Sequence, residues 1–149
     1  MDRILVDGMR LVDEHGRERI LSGMNICDKR DYDKAHPGLA TNADNFPFEE
    51  FRARGYDVIR LGFTWSMMEP IPGKYNEELI KSICEFLDKA EEYGAYVYLD
   101  CHQDVYSSYC YGDGAPRWAT ITDCYTPTKP LAVWAEPYFY GKACFRAFD

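Results

Sequence analysis

The stretch Leu99-Asp100-Cys101-His102-Gln103-Asp104-Val105-Tyr106-Ser107 places charged and polar groups at i, i+2 and i+4 where an apolar segment, Ala95 to Cys101, comes to its end. On a strand those positions share one face, so Asp100, His102 and Asp104 are expected to point the same way. An apolar strand that turns polar at its C-terminal end is how a parallel α/β protein presents chemistry to a ligand. The stretch therefore predicts a parallel sheet with one wall of a site at its rim.

Working back from it, Leu79, Ile80, Ile83, Phe86, Leu87, Ala90 and Tyr93 follow the helical period. Asn76 is placed to cap that helix, Glu77 and Glu78 suit its positive end, and Gly94 terminates it. Tyr56 to Phe63 reads as the preceding strand, apolar except for Arg60. Pro47, with Asn45 before it and Gly55 after it, brackets a short helix. A first inner strand is expected at about Ile20 to Ile26, after a small hairpin punctuated by Asp7-Gly8 and His15-Gly16. The order strand, helix, strand, helix, strand, with helices long enough for crossovers, predicts right-handed βα units. Gln103 to Pro137 is a long irregular segment rich in Tyr, Gly, Pro and Trp, and Tyr138 to Asp149 reads as the start of a third helix. Three units do not close a (β/α)8 barrel, which takes roughly 250 residues. Composition leaves a small open sheet and the first part of something larger as alternatives.

The chain has 149 residues, 46% of them hydrophobic and 28% charged, as soluble globular proteins do. Its net charge of -8 argues against nucleic acid as a partner. No window is long and apolar enough for a transmembrane helix. Met1 to Gly8 lacks a basic region followed by a long apolar run, so no secretion signal is expected and the cytoplasm is the expected compartment. None of the six cysteines forms a Cys-x-x-Cys pair, which removes the commonest zinc and redox spacings. Reduced structural thiols are expected, Cys84 and Cys101 as small hydrophobes in apolar settings. Cys110 and Cys124 flank one loop and are the pair that an oxidising compartment could join.

Taken singly, the site candidates have plain structural readings. Arg60 near the end of an apolar strand reads as an ion-paired arginine, and His102 as a satisfied structural histidine. A metal held by Asp100, His102 and Asp104 would want a fourth ligand, and none is evident, so no metal or organic cofactor is expected. Glu69, before Pro70 and leading into a helix, fits a structural loop better than a catalytic acid. Tyr106, Tyr109, Tyr111 and Tyr125 suit loop anchoring or stacking on a ring, and Gly112-Asp113-Gly114 is a turn.

Four strings belong together. The first is Ser22-Gly23-Met24-Asn25-Ile26-Cys27-Asp28-Lys29-Arg30, and the second is Val58 to Trp65 with Glu69-Pro70, Pro72-Gly73 and Tyr75 following. The third is His102-Gln103-Asp104-Val105-Tyr106 with Gly112-Asp113-Gly114-Ala115-Pro116 and Trp118-Ala119, and the fourth is Val133-Trp134-Ala135-Glu136-Pro137-Tyr138-Phe139-Tyr140-Gly141. Together, in this order, they resemble glycoside hydrolase family 5, and the third is similar to its endoglycoceramidase-like branch.

The resemblance implies an α/β fold: the N-terminal part, about three βα units, of a (β/α)8 barrel with an N-terminal β-hairpin. Residues 1–149 are then a fragment of one catalytic domain. It also implies retaining hydrolysis of a β-linked glycoside or glycolipid by two carboxyl groups about 5 Å apart. The family carries both on glutamates of its fourth and seventh strands, so no catalytic pair is expected in these units. Arg60 matches the arginine that positions the nucleophile, and His102 the histidine that binds the sugar beside the cleaved bond. Lys29 and Asp104 match positions that hold sugar hydroxyls, and Trp118 and Trp65 offer faces for a pyranose ring. The chain alone is expected to be inactive. Its expected partners are substrate and either a complementing C-terminal polypeptide or further copies of itself. The competing reading is a non-catalytic carbohydrate-binding or vestigial module.

Overall fold

The computed structural model describes residues 1–27 and 43–149. An antiparallel hairpin, β1 (Ile4–Asp7) and β2 (Arg10–Asp13), turns at Gly8 as the sequence anticipates. It is tied down by the buried Asp13 carboxylate, which accepts from the backbone N–H of His15 and Arg17, both at 3.0 Å, and from Arg17 Nε at 2.7 Å.

The main sheet is parallel, in the order β3 (Gly23–Ile26), β4 (Val58–Thr64), β5 (Tyr96–His102). Its register sets Asn25 beside Arg60 beside Tyr98, Gly62 beside Asp100, and Thr64 beside His102. Strand β3 is shorter than the expected Ile20 to Ile26. Ser22 still receives the backbone N–H of Asp57 and Val58, but Ile20 is exposed and pairing begins only at Gly23.

Two helices cover one face of this sheet. Helix α1 (Phe48–Ala53) starts after Pro47. Helix α3 (Glu77–Glu92) is capped by Asn76, whose Oδ1 accepts from Leu79 N at 3.1 Å. Between them lies a single turn not anticipated in the sequence, α2 (Trp65–Met68), capped by Thr64. The alternation of β4 sends Ile59 and Leu61 into the core beneath α1 and α3, where they meet Phe48, Phe51, Phe86 and Ala90. Phe46, Phe48 and Phe86 pack at centroid distances of 4.6 to 5.5 Å, mostly edge-on or tilted, as ring quadrupoles prefer. The opposite face carries Asn25, Arg60, Tyr98, Asp100 and His102.

The long segment after β5 contains single turns at Ser108–Cys110 and Arg117–Ala119. The expected third helix is two: α4 (Pro137–Tyr140) and α5 (Lys142–Phe148), broken at Gly141. The cysteines depart from expectation too. Cys84 and Cys101 are exposed, because the α3 position lies on the outer side of that helix and β5 is an edge strand. Cys110 is buried beside Cys144 and Val105, while Cys124 is exposed. The architecture is a partial (β/α)8 barrel, three parallel strands with their covering helices, and the described residues close no barrel. No helix among them is long and apolar enough to cross a membrane.

Candidate functional site

The polar groups of the open sheet face form one connected row at the C-terminal ends of the strands. Arg60 Nη1 donates to Asn25 Oδ1 at 2.7 Å, and Nη2 donates to Asp100 Oδ2 at 2.6 Å. The guanidinium reaches Asp100 because Gly62, its register partner, puts no side chain in between. Among the described residues, then, the ionic partner of Arg60 is Asp100, whereas the family resemblance had directed attention to a glutamate on a further strand.

His102 stands next in the row. Its Nδ1 lies 3.0 Å from Asp100 Oδ2 and 3.2 Å from Arg60 Nη2, and its Nε2 lies 3.3 Å from Asp104 Oδ2. An ionised carboxylate only accepts, so the contact with Asp104 calls for a proton on Nε2. The neutral Nε2–H form leaves Nδ1 free to accept from Arg60, and the imidazolium form gives Nδ1–H to Asp100. Either way both ring nitrogens are held and the ring orientation is set.

Asp104 arrives by another route than the sequence suggests. The strand ends at His102, so the pleat aligns Asp100 with His102 only. Asp104 lies past the end, where Val105 and Tyr106 take left-handed conformations (φ 52° and 68°) that swing the chain back. Such a conformation is unusual for a β-branched residue and costs about 1–3 kcal/mol, so something must hold it.

A residue read as a mere turn former contributes. Asp104 and Asp113 pair as an isolated antiparallel bridge, Asp113 N donating to Asp104 O at 2.8 Å, and Asp104 N also reaches the buried Asp113 carboxylate at 3.1 Å. The flanking glycines are required by this approach. A Cβ on Gly112 would lie 1.8 Å from Asp104 O, and one on Gly114 would lie 2.4 Å from Gln103 Cβ. The signal was in the sequence as Gly-Asp-Gly, but the partner of Asp113 nine residues upstream was not. One ligand atom each of His102, Asp104 and Asp113 lies within 4.8 Å of the others, which makes these three the residues near the rim that could hold a cation.

Trp118 and Trp65 pack edge to face, centroids 5.3 Å apart, with Trp118 exposed. Their support is Glu69, whose carboxylate accepts from Trp65 Nε1 and from Gly73 N, both at 2.8 Å, while its carbonyl accepts from Trp118 Nε1 at 3.2 Å. The bonds from Trp65 and Gly73 hold the Glu69 carboxyl below its ordinary range. Glu69 has the loop role its sequence position suggested. Tyr106 donates to Ala119 O, and Arg117 stacks on Tyr109, so these two tyrosines anchor the loop. Lys29 lies outside the described residues.

Comparison with known proteins brings the same features together. Residues 12–136 match the family model described as cellulase (glycosyl hydrolase family 5). A glucosylceramidase of Aspergillus fumigatus is 35% identical over 147 residues, covering 84% of this chain and 19% of that protein. An endoglycoceramidase of Cyanea nozakii is 39% identical over 118 residues, covering 76% of this chain and 23% of that protein. Among solved structures, endo-glycoceramidase II from Rhodococcus sp., in complex with a five-membered iminocyclitol, superposes with a TM-score of 0.72 at 32% identity. It covers 94% of this chain and 32% of that one. The chain thus spans about a fifth of the length of the curated relatives it matches, and about a third of the solved one.

Proposed function

The chain belongs to glycosyl hydrolase family 5, and from that premise we propose that it forms one wall of the sugar cleft of an enzyme that hydrolyses β-O-glycosidic bonds in glycolipids. The observation that carries this reading is the unbroken row Asn25, Arg60, Asp100, His102, Asp104 at the strand ends. A carboxylate and an imidazole held rigidly at a rim suit a sugar's hydroxyls, which both donate and accept. The exposed indole surface of Trp118 on Trp65 suits the C–H face of a pyranose. Lys29 would add a donor for a hydroxyl.

In this reading His102 and Asp104 bind the sugar next to the cleaved bond, and Arg60 faces the nucleophile. A guanidinium beside a carboxylate lowers that carboxylate's pKa, as a nucleophile that must be ionised requires. Asp100 keeps the guanidinium aimed while the site is empty. Retaining hydrolysis needs an acid/base and a nucleophile about 5 Å apart, and the family supplies both from strands beyond these three. The 149-residue chain therefore binds a β-glucoside without hydrolysing it. Its open sheet face and the exposed Met24, Tyr98 and Leu99 favour association with further strands, either a complementing polypeptide or another copy.

Titration with methyl β-glucoside, followed by ligand-observed NMR, tests the reading. Binding is expected, weakened about tenfold or more by His102→Ala and by Asp104→Ala, since a hydrogen bond to a charged group contributes about 1.5–3 kcal/mol. Binding that ignores both substitutions removes the site. Release of p-nitrophenol from its β-glucoside by the purified chain overturns the division of labour between binding wall and cleaving carboxylates.

A further inference from the structure

We infer that Tyr138 is a positioning residue, whose hydroxyl holds the turn that keeps the Asp104 carboxylate against His102. The inference rests on the sugar reading for its consequence in binding, and on geometry alone for the positioning itself.

The turn after β5 has to be held, because Val105 and Tyr106 both take left-handed backbone conformations. Their two N–H groups join neither a strand ladder nor a helical backbone, and both bond to side chains. Val105 N donates to the Tyr138 hydroxyl at 2.6 Å, and Tyr106 N donates to Gln103 Oε1 at 2.9 Å. The Tyr138 hydroxyl in turn donates to the same Gln103 oxygen at 3.4 Å. One phenol thus receives one strained amide and steadies the acceptor of the other. Val105 is fully buried, so losing its partner would strand a donor away from water.

Tyr138 can do this because its ring is held by more than the turn. It sits in α4 behind Pro137, its ring packs near Trp134 and Phe148, and it covers the buried Val105, Cys110 and Cys144. Just before it, the Glu136 carboxylate collects the backbone N–H of Leu131, Ala132 and Val133 at 2.6 to 3.2 Å and gathers the returning chain. The long loop therefore leaves the rim at Asp104 and comes back to brace it. Asp104 is one residue from the braced amide, and its side chain meets Nε2 of His102 at 3.3 Å.

The test replaces only the hydroxyl. In the 15N-labelled chain, Tyr138→Phe is expected to move the His102 imidazole resonances to the positions they take in Asp104→Asn, with the fold retained by circular dichroism. Tyr140→Phe, an exposed neighbour, is expected to leave them in place. Coincidence of the Tyr138→Phe and wild-type His102 resonances across the pH titration overturns the inference. Should Tyr138→Phe not fold, amide exchange in the wild type decides. A Val105 amide exchanging as fast as the exposed loop amides overturns it, and strong protection supports it. With methyl β-glucoside as probe, Tyr138→Phe is expected to lose affinity by the same factor as Asp104→Asn. If the resonances move but the wild type binds no glucoside, the positioning role stands and the sugar reading alone fails.

Discussion

Arg60 Nη2 lies 2.6 Å from Asp100 Oδ2, joining β4 to β5 across 40 residues of chain. Both side chains are partly shielded on the open face of the sheet, and the same carboxylate oxygen also meets His102 Nδ1. Asp100 therefore links the arginine to the histidine, while Asn25 holds the other side of the guanidinium and Asp104 the other ring nitrogen.

Replacing Asp100 with Ala removes that link and leaves the guanidinium facing His102 without its counter-charge. The pair is neither fully exposed nor fully buried, so a loss of about 1–2 kcal/mol is expected, between the values for surface and interior pairs. Urea denaturation monitored by circular dichroism measures it. An unchanged midpoint would mean that the pair is incidental to the sheet.

Glu69→Ala takes the acceptor from Trp65 Nε1 and Gly73 N together. A lower unfolding midpoint is expected, accompanied by a red shift of tryptophan emission as the Trp65–Trp118 pair loosens. Emission and stability identical to wild type would contradict the supporting role assigned to Glu69.

Acid should weaken the fold through carboxylates that the fold holds ionised. The N–H groups of Leu131, Ala132 and Val133 keep the Glu136 carboxyl below its ordinary value of 4.5. A lowered folded value means that its stabilisation is complete above that ordinary value and disappears as pH falls through the folded one. Glu136→Gln is thus expected to be the less stable chain near neutral pH, with the two melting temperatures drawing together as pH falls below the ordinary carboxylate value. A gap that stays constant down to pH 2 would exclude this linkage.

Thiol labelling should divide the cysteines by burial. Burial, with Cys110 close by, pushes the Cys144 thiol up to about 11, and burial also raises Cys110. Cys84, Cys101 and Cys124 are exposed, but partial burial of its thiol and the Asp100 charge raise Cys101. Mass-spectrometric mapping after brief alkylation at pH 8 is expected to find Cys84 and Cys124 modified first, Cys101 later, and Cys110 and Cys144 untouched until the chain unfolds. Early modification of Cys144 would show that α5 does not stay packed on the loop.

The helices and strands were legible in the residues because each is written in a short period. Asn76 with Glu77 and Glu78 announces α3, the i, i+3, i+4 spacing of Leu79, Ile83 and Phe86 gives its buried face, and Pro47 marks the start of α1. The family was legible from four strings in order. Boundaries were less so: Ile20 looks like a strand residue but pairs with none of the described strands, and Gly141 divides a helix whose apolar residues run on past it.

By itself, then, the chain's residue order determined the βα alternation, the polar rim after β5 and the membership of a hydrolase family, since all of these depend on neighbours within a turn or a pleat. Only the tertiary structure decided that Arg60 pairs with Asp100, that Asp104 reaches His102 through a left-handed turn, and that Asp113 and Tyr138 brace that turn. The Arg60–Asp100, Asp104–Asp113 and Val105–Tyr138 contacts join residues 9 to 40 apart, and which distant groups meet is settled by strand register and loop closure, for which no local periodicity carries a signal.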